Sequence, residues 1–147
     1  MKCKDIAKYI SQELVNNGFI VHRYDSYSTC SIYLKLDYGA CNSIRISDHN
    51  GYEHLSYKYN INQKVYKDGW YKDKNNKWRY SCRCNKESID KLITIIVNDK
   101  FNKLSTHNYK ELLEYYKLKS NNSKISFWKD AKEVKLDESA RITETNN

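Results

Sequence analysis

Proline is absent from this 147-residue chain, methionine occurs once and glycine four times. Four scattered glycines cannot build a Walker or dinucleotide-binding phosphate loop, and neither fingerprint occurs. No helix carries the paired histidines of a metallohydrolase, and no internal repeat is visible. Apolar runs are short, far below the roughly 20 residues that span a bilayer. The N-terminus opens directly into an amphipathic pattern without the apolar core of a signal peptide, so export is not expected. The five cysteines are an odd number, and for a chain that stays in a reducing compartment they read as free thiols rather than a disulfide framework.

What the chain has in quantity is tyrosine, 14 of them, and a net charge of +8. Hydrophobic residues make up 39%, enough for one core because the aromatics bury large areas each. The positive charge has two sources. A basic protein attracts nucleic acid or an acidic protein surface, whereas abundant Lys, Asn, Tyr and Ile without Pro is what AT-rich coding drift produces. The excess is localised: residues 1–118 hold 20 Lys and Arg against 13 Asp and Glu, and the remainder holds 6 against 5.

Cys3, Ile6, Ala7, Ile10 and Leu14 recur at helical spacing, and Asn16-Asn17-Gly18 supplies a stop. Phe19–Tyr24 reads as a strand. In the next, Cys30, Ile32, Leu34 and Leu36 face one way while Ser31, Tyr33, Lys35 and Asp37 face the other. A tight turn at Tyr38-Gly39-Ala40 leads into Asn42–Asp48, then a strand through Leu55, Tyr57, Tyr59 and Ile61, and another over Trp78–Cys84. Trp70 and Tyr71 are expected to fold back over the end of the core. Residues 85–104 carry the strongest helical pattern, a stripe of Ile89, Leu92, Ile93, Ile96, Val97 and Phe101, with Asn85 or Ser88 as the cap. A shorter helix follows over Asn108–Lys117, Phe127 and Trp128 dock a last turn, and Leu136–Asn147 reads as a mobile tail.

The fold expected is α+β: an N-terminal helix, an antiparallel meander of four or five strands, and two C-terminal helices packed on one sheet face. Residues 1–118 form the domain, and 119–147 are a partly mobile extension. The other face then carries Lys35, Arg45, Lys58, Arg79 and Arg83, with Tyr33 among them. Cations and tyrosines on one face suit phosphates and bases. They equally suit a protein interface, where Arg and Tyr are enriched, or plain solvation with edge protection.

Ser47, Asp48 and His49 bring a hydroxyl, a carboxylate and an imidazole to a strand end. Neighbours on an extended chain point to opposite sides, so a turn ordered by local hydrogen bonds fits better than a catalytic triad. No cofactor is required by any motif. A structural zinc is the alternative for His49, His54 and Asp48, or for Cys82 and Cys84 with Cys30 or Cys41, although Cys-x-Cys is not the usual Cys-x-x-Cys knuckle.

Ser43-Ile44-Arg45-Ile46-Ser47-Asp48-His49, followed by the tyrosine-rich Leu55–Ile61, resembles small proteins of phages and mobile elements of low-GC bacteria. In these a strand ends in Arg-Ile/Leu-Ser-Asp/Asn-His ahead of another strand and a helix. One group of type II anti-CRISPR proteins is similar in this segment, and the match covers roughly residues 43–97. The resemblance implies a non-enzymatic anti-defence protein in the bacterial host cytoplasm. It would bind a CRISPR effector, Cas9-like, or another defence nuclease, and block nucleic-acid loading or cleavage. Tyr33, Lys35, Arg45, Lys58, Arg79, Arg83, Asp48 and His49 would make the contact. The alternative is a basic module for double-stranded RNA or DNA, since the element order also resembles the double-stranded RNA-binding domain. Here Asn85-Lys86-Glu87-Ser88 lacks the lysine cluster with which that domain holds phosphates.

Overall fold

The computed structural model describes residues 3–26, 31–47, 54–58, 70–72, 74–75, 78–83, 85–122 and 127–137. Helix α1, Cys3–Asn16, buries Ile6, Ala7, Ile10 and Leu14, the stripe its spacing predicts. It stops at Gly18, whose φ of +86° is a conformation that favours glycine, and the Phe19 amide donates back to the Leu14 carbonyl at 3.0 Å. Strands β1 (Val21–Asp25), β2 (Ile32–Leu36), β3 (Ser43–Ser47) and β4 (His54–Lys58) follow as an antiparallel meander. Strand β5 (Trp70–Lys72) is the outer partner of β6 (Trp78–Arg83), which lies against β4.

Asn85 caps helix α2, Lys86–Thr106, by accepting a 2.8 Å hydrogen bond from the Ser88 amide. Helix α3, Tyr109–Asn122, runs to a 3-10 turn at Phe127–Asp130 and a two-residue strand, β7 (Lys132–Glu133). The fold is thus α+β with a helix at the start, an antiparallel sheet and two later helices, as the sequence predicts. Among the described residues the sheet has seven strands in the order β5-β6-β4-β3-β2-β1-β7. Two short edge strands extend the predicted meander. Among the described residues no helix is long and apolar enough to cross a membrane.

One sheet face presents Val21, Ile32, Leu34, Leu36, Ile44, Ile46 and Tyr80, all buried. Helix α1 packs over β1, β2 and β3, and α2 over β6 and α1, closing a core with Ile89, Leu92 and Ile96. Across the helix pair the Tyr9 hydroxyl donates to Asp90 at 2.6 Å, and Lys86 bridges both groups.

Helix α3 packs chiefly against the 3-10 turn Asp37–Gly39 that joins β2 to β3. Asp37 departs from its expected outward place. The strand alternation ends at Leu36, and Asp37 (φ +49°) and Tyr38 (φ +59°) enter the left-handed region. That turns the Asp37 carboxylate inward until it is 1% exposed. Left-handed non-glycine residues cost on the order of 1–3 kcal/mol each, and a dense set of bonds holds these. Asp37 Oδ1 accepts from the Ile20 amide at 2.7 Å, while Oδ2 takes the Tyr109 hydroxyl and Lys100 Nζ, the latter at 2.8 Å. Lys103 donates to the Ala40 carbonyl at 2.6 Å and pairs with Asp99.

This cluster also explains Phe101, which the helical stripe places inside and the structure leaves 70% exposed. Beyond Ile96 the inward face of α2 continues through Asp99, Lys100 and Lys103: Lys100 pairs with Asp37, Lys103 binds the Ala40 carbonyl, and Asp99 pairs with Lys103. Phe101 and Leu104 therefore fall on the outer side.

Candidate docking face

Sheet register decides which positions share the polar phase. From β7 to β5 one row reads Glu133, His22, Lys35, Ser43, Lys58, Arg79, Tyr71. The next reads Tyr24, Tyr33, Arg45, Ser56, Ser81, and a third Ser47, His54, Arg83. The register therefore places Tyr33, Lys35, Arg45, Lys58, Arg79 and Arg83, six of the eight proposed contact residues, on one phase of the sheet. With strands about 4.8 Å apart, the three steps from Lys35 to Arg79 span about 14 Å. For His54, Ser56, Lys58, Tyr71 and Ser81 the backbone position alone is described, and Asp48 and His49 lie outside the described residues.

Arg45 and Arg83 are exposed, and Arg79 is half-buried. The Arg45 guanidinium is held rather than free. Nε and Nη2 donate to the Ser31 hydroxyl at 3.3 and 3.2 Å, and Cζ stands 5.8 Å from the Tyr33 ring centroid. Ser31, expected outward beside Tyr33, is 1% exposed and serves as this anchor.

The face is not wholly open, a correction to the expectation that it is left uncovered. The turn Phe127–Asp130 brings Trp128 across β2, edge-on to Tyr33 with centroids 6.2 Å apart, and Lys35 Nζ lies 5.1 Å from the indole centroid. From there β7 pairs with β1, and the Val134 amide donates to the Val21 carbonyl at 2.8 Å. Gln12 on α1 donates to the Lys135 carbonyl at 2.9 Å and accepts from the Asp137 amide at 2.7 Å. The described part of the extension is thus tied down through Asp137, where the sequence predicts a mobile tail from Leu136. The Arg45–Arg79–Arg83 half of the face lies beyond this strap.

Sequence reasoning missed His22, Tyr24, Tyr38, Trp128 and Lys129 as neighbours of the face. The alternation of β1 puts His22 and Tyr24 on the polar phase and could have found two of them. Burial depresses the His22 pKa, with Glu133 opposing and Lys35 adding to the effect. Burial likewise lowers the Lys35 pKa, assisted by Lys119.

Burial works against ionisation of two cysteine thiols and of the hydroxyl beside one of them. Burial pushes the Cys41 and Cys82 thiols up to about 11, which leaves both as thiols near neutral pH. The Tyr109 hydroxyl beside Cys41 is raised by burial and by its bond to Asp37. Among the described residues no three His, Cys, Asp or Glu side chains gather as a metal site. Of the zinc candidates, Cys30, Asp48, His49 and Cys84 lie outside the described residues. No protein family, curated protein or solved structure matches this chain.

Proposed function

We propose that this chain is a non-enzymatic inhibitor, made by a phage or mobile element, that docks its arginine-bearing sheet face on a host defence nuclease. The observation that carries the docking is the register that brings Lys35, Arg45, Lys58, Arg79 and Arg83 from four strands to one side. The resemblance of Ser43–His49 to type II anti-CRISPR proteins supplies the partner, a Cas9-like effector in the bacterial host cytoplasm. Bound there, a rigid cationic sheet covers an acidic or nucleic-acid-bearing surface and blocks loading or cleavage sterically. Neither a metal nor a cofactor is needed for that action.

The face favours charge recognition over base stacking. Tyr33 lies under an Arg45 guanidinium that the Ser31 hydroxyl holds in place, with Trp128 at its side, which works against a base stacking there. The cations beyond the strap suit carboxylates or phosphate oxygens, which Arg binds in a fork. A second reading, a basic nucleic-acid-binding module, rests on the same row of cations. It requires affinity for free RNA or DNA that falls steeply with salt.

The test is protection of the effector's DNA substrate from cleavage at stoichiometric protein. Cleavage unchanged across a panel of CRISPR effectors and other defence nucleases contradicts the proposal. A gel shift of free RNA or DNA that disappears between low and moderate salt, without any protein partner, selects the second reading.

A further inference from the structure

Between the C-terminal strap, the end of α3 and the polar side of β1 and β2 lies a cleft of about 300 Å³, lined by His22, Lys35, Tyr38, Ser120, Trp128 and Lys129. That volume is at the lower end of small-ligand cavities, which run roughly 300–1,000 Å³, and so suits a single small molecule. The position follows from topology. Strand β1 contributes His22, β2 contributes Lys35, the left-handed turn swings Tyr38 over the edge, and α3 and the 3-10 turn close the far side.

The lining combines two chemistries. One is unbalanced positive charge. Lys35 and Lys129 line the cleft, and among the described residues neither has a carboxylate within ion-pair distance. Lys117 stands 5.8 Å from the Tyr38 ring centroid, and Lys119 is close enough to depress Lys35. The nearest acid on the row, Glu133 opposite His22, is engaged by Lys135. A half-buried lysine facing other lysines disfavours its own charge, and an anion seated between them removes that penalty. The second chemistry is flat and aromatic: the Trp128 indole, and the Tyr38 ring against His22 at a centroid distance of 5.2 Å. Burial keeps His22 low, so near neutral pH its imidazole has both a donor and an acceptor to offer. The Ser120 hydroxyl adds another polar group.

Cations converging beside aromatic walls in a cleft of this size match one ligand class. We propose that the cleft binds a nucleoside monophosphate unit, with the phosphate between Lys35 and Lys129 and the base on the Tyr38 and His22 side of the cleft. This goes beyond the docking reading and does not depend on it. The unit has two possible sources, a free nucleotide or the terminal nucleotide of a strand.

Titration calorimetry with adenosine 5′-monophosphate, adenosine, inorganic phosphate and a short 5′-phosphorylated oligonucleotide tests it. The monophosphate is expected to bind at one site, at least about tenfold tighter than either adenosine or inorganic phosphate. Lys129→Gln, an exposed position that leaves the fold intact, weakens it about tenfold, as does Lys35→Gln, while Arg83→Ala changes nothing. Equal affinity for the mononucleotide and the oligonucleotide identifies a free ligand, and tighter oligonucleotide binding that Lys129→Gln still weakens about tenfold identifies a strand end. No saturation by any of the four 5′-mononucleotides at millimolar concentration overturns the proposal. So does inorganic phosphate binding as tightly as the monophosphate, or affinity untouched by Lys129→Gln. Because Arg83 lies outside the cleft, loss of nuclease inhibition in Arg83→Ala with nucleotide binding retained separates this site from the docking face.

Discussion

Arg45 stands directly opposite Tyr33 across β3 and β2, its guanidinium carbon 5.8 Å from the ring centroid and two of its nitrogens on the Ser31 hydroxyl. The side chain is exposed yet preorganised, so a partner's carboxylate or phosphate meets a cation whose rotamer is already restricted. Replacing Arg45 by Ala removes packing that is largely at the surface. Urea denaturation should report a stability change within about 0.5–1 kcal/mol. Affinity for the partner should fall about tenfold or more. A variant that loses more than about 2 kcal/mol of stability would show that Arg45 serves the fold instead.

The buried Asp37 carboxylate is the anchor of the β2–β3 turn, held by Tyr109, Lys100 and the Ile20 amide. Removing one partner of a buried ion pair leaves the other charge uncompensated, at about 3–5 kcal/mol. Asp37→Ala should cost that much, and Tyr109→Phe about 1–3 kcal/mol because the carboxylate loses a donor. The double variant should cost less than the sum, since both remove the same bond. Strict additivity in denaturation would mean that the two groups do not interact.

Cys41 is fully buried and its thiol is raised from 9.0 to about 11, desolvation being the main cause. The folded state therefore holds the proton more tightly than the unfolded chain does. Its contribution to stability is complete below pH 9.0 and is lost as pH rises through about 11. Comparing the parent with Cys41→Ala by denaturation from pH 8 to pH 11 should show the difference shrinking by about 2–3 kcal/mol. At pH 8 a thiol-specific reagent should modify the buried Cys41 only after unfolding, and the partly buried Cys82 slowly, because its thiol is raised to about 11. Fast labelling of either thiol in the native protein would sink this assignment.

Trp128 fastens the extension over Tyr33 and Lys35, and β7 continues the strap to β1. Trp128→Ala should cost about 1–3 kcal/mol, less than a fully buried tryptophan because the ring is half-buried. Hydrogen exchange should locate the damage. The Val134 amide, which donates to the Val21 carbonyl, should exchange faster, while amides in β2 and β3 keep their protection. Unchanged exchange at Val134 would mean that the strap is held by Gln12 and the β1 pairing alone.

Periodicity made much of this fold legible. The stripes Ile6, Ile10, Leu14 and Ile89, Leu92, Ile96, and the alternation of Ile32, Leu34, Leu36 against Tyr33 and Lys35, each have one physical solution. The common phase of Lys35, Arg45, Arg79 and Arg83 was legible for the same reason, because a strand's period of two carries across a regular register. What escaped depends on tertiary context. Asp37 leaves the strand phase through left-handed backbone that alternation cannot signal. Phe101 continues an apolar spacing but lies beyond the sheet, where ion pairs take over the inward face. The strand Lys132–Glu133 is two charged residues long, too short for any pattern, and exists because α3 and the Trp128 turn deliver it to the edge of β1.

Charge reversal across the open half of the face tests the docking account most directly. The triple variant Arg45→Glu, Arg79→Glu, Arg83→Glu should leave the far-ultraviolet circular dichroism unchanged and abolish protection of the effector's DNA substrate at stoichiometric protein. Alanine at Phe101 and Leu104, which lie away from the sheet, should retain full protection. Full protection by the triple variant would contradict the account, because no docking surface made of those arginines survives their reversal.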